Sequence, residues 1–326
     1  MKTFEANILF TSSGRRVSLL NMFKEYLRSE NITGKIITAD FKNNAPTTFV
    51  SDKHYVVPRV SDENYVSELI AICVKENIKM IIPLIDTELP LLAEKSSIFE
   101  ELGIKVLVSG SEVIRIGCDK VDTYTFFTEN GISTPKVYSE HETDYQFPLI
   151  VKPRDGSSGL GVTVVNNLHE LEFFKTYIKN SMIQDMVRGE EYTVDVMVDF
   201  DGNIKTIVPR QRIEIRAGEV SKGITRKDPT IISAVKDVMK KLVGVVGCIN
   251  LQCFKKENGE ISFIEINPRF GGGVPLAIKA GANFPKWTVE LMLGMAFVTA
   301  DFSWLDGLTM LRYDDAIFTD QLTHVD

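Results

Sequence analysis

The sequence predicts an α/β N-terminal domain built on a parallel sheet, followed by an α+β region with antiparallel hairpins, and three observations carry that expectation. Up to about residue 118, short apolar runs alternate with amphipathic stretches, the pattern of βαβ units. Further on, period-two segments come in pairs joined by Asp201-Gly202 and by Glu257-Asn258-Gly259-Glu260, which reads as antiparallel hairpins. The length of 326 residues, with 44% apolar and 25% charged residues, supports two or three compact units with buried cores.

In the first unit the runs 6–11, 35–39, 80–84 and 104–109 are expected strands, and 17–28 and 63–76 expected helices. Asp62 is a candidate N-cap for the second helix, whose apolar side is read as Val66, Leu69, Ile70 and Cys73. Ligand groups on an open parallel sheet lie past the strand C-termini. Three places qualify: Ser12-Ser13-Gly14-Arg15-Arg16, Asp40 and Asp86-Thr87-Glu88. The first lacks the second and third glycines of a dinucleotide fingerprint. Such a turn before a helix can hold an anion with help from Arg15 or Arg16, or Gly14 can simply make the turn and leave the arginines solvated.

After Gly117 the expected order is a helix over 120–129, strands over 147–152 and 161–165, a helix over 170–179 and a strand over 182–186. A strand with period two follows over 192–200, then a helix over 231–246 presenting Ile231, Ala234, Val235, Val238, Leu242 and Val246, then strands over 250–255 and 261–266. The expected domains are 1–118, 119–187 and 188–326. No internal repeat is visible.

Composition narrows the function. A net charge of −7 argues against a nucleic-acid partner, and no apolar run approaches the roughly 18 residues of a membrane span. Cys73, Cys118, Cys248 and Cys253 form no CxxC pair, so neither a zinc clip nor a disulfide framework is expected, and a reduced cytoplasm is the expected location. The four histidines show no metal-ligand spacing.

Two segments carry chemistry. In Val151-Lys152-Pro153-Arg154-Asp155-Gly156-Ser157-Ser158-Gly159-Leu160-Gly161 a lysine at a strand end precedes a loop of glycine and serine. Its backbone N–H groups can fold over phosphate while the lysine supplies charge; the other reading is a long hairpin with glycines for geometry. The order is the reverse of a Walker A loop. The second segment, Phe263-Ile264-Glu265-Ile266-Asn267-Pro268-Arg269-Phe270-Gly271-Gly272-Gly273, follows Asn250-Leu251-Gln252. Alternation points Glu265 and Asn267 the same way, and Gln252 on the hairpin partner can join them. Three oxygen donors of this kind suit Mg²⁺, which fills the rest of its octahedron with water and phosphate; the alternative is a polar sheet edge.

On these residues the sequence resembles the ATP-grasp superfamily, in the branch of the carbamoyl phosphate synthase large chain, biotin carboxylase and the PylC-like amino-acid ligases. The resemblance spans nearly the whole chain and implies a pre-ATP-grasp domain followed by two subdomains that clasp ATP. It places Lys120 and Lys152 at the phosphates, Ser157, Ser158, Gly159 and Gly161 in a mobile loop, and Gln184, Asp185, Met186 and Val187 at the adenine hinge. Glu191 falls at the ribose carboxylate, and Gln184 stands where the family often has Glu. Arg269 resembles an arginine that contacts the γ-phosphate and an acyl phosphate. Arg210, Arg212 and Arg216 share one face if their strand is unbroken; that face is either a solvated charge run or a cationic surface on which Arg212 or Arg216 would join Arg269 on the transferred group.

The implied activity is an ADP-forming ligation of a small-molecule carboxylate to an amine through an acyl phosphate, with ATP and Mg²⁺, or Mn²⁺, and with a homodimer among the expected assemblies. A carbamoyl phosphate synthase-like or carboxyphosphate-forming subunit acting on bicarbonate with a partner, and a non-catalytic nucleotide-binding protein, are the alternatives.

Overall fold

The computed structural model describes residues 5–139, 141–156 and 159–320. The chain begins with β1 (Ile8–Thr11), α1 (Val17–Ser29), β2 (Ile36–Asp40), β3 (Lys53–Val56), α2 (Tyr65–Lys75), β4 (Met80–Pro83), α3 (Leu89–Glu94), α4 (Ser96–Glu101) and β5 (Lys105–Val106). The five strands pair in parallel in the order β3-β2-β1-β4-β5. Every residue of β1 and β2 is buried, as expected of parallel strands covered on both faces. On one face Leu9, Ile37 and Ile81 pack with Leu69 and Phe99 from the flanking helices. On the other, Phe10, Leu20 and Phe23 share a core with Phe270, Phe284 and Trp287 from near the far end of the chain.

Some local expectations need correction. The helix over 65–75 has Asn64, not Asp62, at its N-cap position, with no side-chain cap bond; the Asp62 carboxylate instead accepts from the Asn64 backbone N–H at 2.9 Å. Its buried side is Tyr65, Leu69, Ile72 and Cys73, with Val66 and Ile70 only half-buried. β3 is an exposed or half-buried edge with no apolar alternation, and α3 and α4 are six residues each, so neither offered a periodic signal.

Next come α5 (Ser111–Cys118), α6 (Lys120–Glu129), β6 (Val137–Tyr138), β7 (Leu149–Pro153), β8 (Thr163–Val165), α7 (Leu168–Tyr177) and β9 (Ser181–Asp185). Their strands form an antiparallel sheet in the order β6-β9-β7-β8. Asp119 caps α6 by accepting from the Val121 and Asp122 N–H groups and also binds Arg154 at 2.6 Å. The start of the glycine-rich loop is thereby tied to the helix that carries Lys120.

The chain continues with β10 (Glu190–Val198), β11 (Ile204–Arg216), β12 (Glu219–Thr225), α8 (Pro229–Lys241), β13 (Gly247–Lys255), β14 (Ile261–Asn267), α9 (Val274–Lys279), α10 (Phe284–Met292) and β15 (Thr309–Leu311). These strands make a six-stranded antiparallel sheet, β14-β13-β10-β11-β12-β15. α8 buries Ile231, Val235, Val238 and Met239. It stops at Lys241 rather than running to 246, because Leu242 leaves the helical region at ψ 78° and Gly244 turns the chain at φ +91°. The register of β11 against β12 shifts on both sides of Glu214. These bulges break the alternation that would have put Arg216 beside Arg210 and Arg212.

Candidate active site

A cavity of about 470 Å³ is lined by residues of both antiparallel sheets and of the N-terminal parallel domain. Its two ends differ in chemistry. At one end Ile150, Met186, Phe254 and Ile264 give apolar walls beside Gln184, Asp185, Val187 and Glu191. Ile150 lies across the ladder from Gln184, and Phe254 across from Glu191. The Asp185 carboxylate accepts from the Tyr138 hydroxyl at 2.8 Å, and Gln184 Nε2 donates weakly to the Pro135 carbonyl at 3.5 Å. Among the described residues the N–H groups of Met186 and Val187 donate no backbone hydrogen bond, so a planar, hydrogen-bonding ring can be read here.

Between the ends stand Gln252, Glu265 and Asn267. Gln252 pairs directly with Glu265 across β13 and β14, and Asn250 with Asn267. None of the Gln252, Glu265 and Asn267 side chains makes a hydrogen bond to another described residue, although all three line the cavity. One carboxylate and two amide oxygens, unbonded and on adjoining strands, fit a hard divalent cation that keeps several outer ligands.

Lys152 enters this region from the end of β7 and is 7% exposed. Burial pushes its ammonium down to about 8; Glu265 partly offsets this and Lys120 adds to it. Phosphate groups beside such a lysine favour its charged form. Near pH 8, binding of a phosphate-bearing ligand here should therefore take up about half a proton, falling toward zero by about pH 6 where the lysine is already charged in the free protein. Calorimetry in Tris and HEPES checks this, and Lys152→Met should abolish the buffer dependence. Lys120 Nζ donates to the Gly156 carbonyl at 2.8 Å, so the loop and this second lysine are physically joined.

The opposite end is cationic. Arg269 forms a bidentate pair with Asp86 at 2.7 and 2.5 Å. Burial opposes its charge, and Asp86 more than restores it, so Arg269 titrates above its ordinary value. Arg16 pairs with Glu219 at 3.4 Å, and Arg312 reaches the same carboxylate at 2.7 Å. Gly271, Gly272 and Gly273 form the wall between them. A Cβ on each would collide in turn with Asn250, with Arg16 and Glu219, and with Arg210, so the close approach requires glycine.

The structure brings most of the expected residues together: Lys120, Lys152, Gly159, Gln184 to Val187, Glu191, Arg212, Gln252, Glu265, Asn267 and Arg269 all line the cavity. Ser157 and Ser158 lie outside the described residues. Gly161 is not among the lining residues and lies against Pro153. Arg216 is also outside the lining; it pairs with Asp314 at 2.9 Å, both side chains being exposed. Arg212 pairs with Glu191 at 3.0 Å, at the apolar end of the cavity, and makes no described contact with Arg269. Burial raises the Glu191 carboxyl above its ordinary range, with Arg212 offsetting and Glu265 adding.

The three N-terminal loops divide. Arg16 and Asp86 reach residues of the C-terminal half, whereas Glu88 is fully buried and accepts from Thr11 and Ser12, and Asp40 accepts from the Gly14 N–H at 3.3 Å. Glu219 and the Asp86–Arg269 contact were not visible in the sequence. The only local signal was the Ala217-Gly218 turn, both residues at positive φ, that aims Glu219 inward.

An apolar end, a central cluster of unbonded oxygens and an arginine-rich far end in one cavity fit a nucleotide-dependent enzyme. Residues 118–273 match the family model of the ATP-grasp domain, and residues 8–107 that of the PylC-like N-terminal domain. The chain belongs to the ATP-grasp superfamily. It is 22% identical over 272 residues to a carbamoyl-phosphate synthase of Methanobrevibacter smithii, covering 76% of this chain and 71% of that one. It is 29% identical over 180 residues to a D-alanine–D-alanine ligase of Fusobacterium nucleatum, covering 52% of this chain and 63% of the relative. The fold superimposes on an L-amino acid ligase from Bacillus licheniformis with a TM-score of 0.67 at 20% identity, over 90% of this chain and 75% of the other. No helix among the described residues is long and apolar enough to cross a membrane.

Proposed function

We propose that this chain is an ADP-forming carboxylate–amine ligase that activates a small carboxylate as an acyl phosphate. One observation carries the reading: a single cavity runs from the hinge, past unbonded oxygens of Gln252, Glu265 and Asn267, to the arginine wall at Gly271–Gly273. A carboxylate is a poor electrophile, and phosphorylation of one oxygen supplies a leaving group for the amine. The protein contributes positioning and charge. The hinge and Glu191 hold the nucleoside, Lys120 and Lys152 neutralise the phosphates, and Arg269, fixed by Asp86, faces the group in transfer. Gln252, Glu265 and Asn267 would hold a Mg²⁺, whose charge would offset that of the phosphates.

The experiment that tests this is trapping. With MgATP, the correct carboxylate and hydroxylamine, a hydroxamate and ADP should accumulate, and ¹⁸O from the carboxylate should pass to inorganic phosphate. Release of AMP and pyrophosphate would sink the proposal. The likeness to carbamoyl-phosphate synthase favours one second reading, phosphorylation of bicarbonate. Bicarbonate-stimulated ADP release without any organic carboxylate would select it.

The glycine loop gives a further expected result. Gly159 has φ +65° and lies 3.5 Å, measured from where its Cβ would stand, from the Gly218 Cα. Valine there is strained and presses on the β11–β12 turn. Gly159→Val should lower kcat about 10²-fold and leave nucleotide affinity within about threefold, since the hinge lies elsewhere. Full turnover in this variant would make the loop an ordinary hairpin.

A further inference from the structure

Arg210 is 1% exposed, yet it lines the cavity at its glycine end. Its Nε and Nη2 donate to Asp195 at 2.5 and 2.9 Å, and Asp195 also accepts from Asn250 Nδ2 at 2.7 Å. The guanidinium is therefore held on one edge only. Nη1 is buried and has no partner among the described residues, and it points to the spot where a Cβ on Gly273 would stand. A buried charged donor left unpaired is expensive, and one fixed at a cavity wall is a donor waiting for an acceptor.

The local charges say what kind. Asp86 is engaged by Arg269, Asp195 by Arg210, and Glu219 by Arg16 and Arg312. Four arginines thus face three carboxylates; with Arg15, which acts on Glu219, and Glu265, which acts on Arg269, five face four, and one positive charge remains. Arg312 also donates to the Gly272 carbonyl at 2.5 Å, which fixes the glycine wall from outside.

We propose that Arg210 Nη1, beside Gly273, is the donor that seats the carboxylate of the acyl substrate, and that the seat takes a singly charged anion. The inference rests on the ligase reading for the identity of that anion. Asp195 and Asn250 act as positioning residues that aim the free nitrogen. A guanidinium whose only task is to neutralise Asp195 would not require glycine at 273.

The test uses the full chain saturated with MgADP and acetate as the probe, followed by saturation-transfer NMR. The wild type should bind acetate. Arg210→Lys, which keeps a charge for Asp195 but loses the second nitrogen, should weaken acetate at least about tenfold and leave MgADP affinity within about twofold. Should Arg210→Lys fail to fold, Gly273→Ala is the second variant: its methyl would meet both Nη1 and Cζ of Arg210, so the guanidinium must leave its place at the wall while the charge on residue 210 is kept, and the same loss is expected. No acetate binding by the wild type, or acetate binding unchanged in a folded variant, would overturn the assignment. If acetate binds and the variants lose it, but no carboxylate and amine together stimulate ADP release, the anion seat stands and the ligase reading falls.

Discussion

Glu265→Gln is expected to lower MgATP turnover by about 10²–10³-fold, the range seen when one preorganised electrostatic group is removed from a reaction centre. Glu265 is the sole carboxylate among the three unbonded oxygen donors, and the substitution keeps shape while removing charge. No described hydrogen bond is lost, so the melting midpoint should barely move. A second readout separates this from a general weakening. Glu265 is the group that partly sustains the charge on Lys152, so its removal should shift the pH of maximal proton uptake on nucleotide binding to below about 8. Turnover within a few-fold of wild type would take Glu265 out of the site.

Arg269→Met should have a comparable or larger effect, about 10³-fold on turnover, because an arginine facing a transferring phosphoryl group contributes on that scale. The same variant strips Asp86 of its bidentate partner. Its melting midpoint should fall as well, though less than for a fully buried pair, since the Asp86 side chain is 26% exposed. Asp86→Asn discriminates the two roles: it leaves the arginine charge in place but loosens its aim, and should cost about tenfold in turnover. An Arg269→Met enzyme with near-normal kcat, or an Asp86→Asn enzyme as poor as Arg269→Met, would contradict the assignment.

How much of this was legible in the sequence depends on how far the argument had to reach along the chain. Gln252, Glu265 and Asn267 were legible because a hairpin and a period of two fix their mutual direction. Lys152 and the loop after it were legible as a strand end followed by glycines. Arg216 was misread because strand alternation holds only while the register holds, and two bulges intervene. The start of α2 was misread because Asp62 and Asn64 both offer capping chemistry and only the backbone angles choose between them. The pairing of Asp86 with Arg269 across 183 residues has no local signature. Nor does the unpaired edge of Arg210, which exists only once Asp195, itself held by Asn250, has claimed the other side.

The Asp86–Arg269 and Arg16–Glu219 pairs tie the first hundred residues to the rest by matched charges on both sides of a seam. A chimera that grafts a foreign N-terminal unit onto residues 119–326 would inherit an arginine whose counter-ion was left behind and a glutamate left with Arg312 alone. Transplants between relatives therefore have a simple compatibility rule: the donor unit must present an acid after its fourth strand and a base at the head of its first helix. Donors lacking either would be expected to yield hybrids that still hold nucleotide at the distant hinge but have a misaligned far end, uncoupling affinity for ATP from use of it.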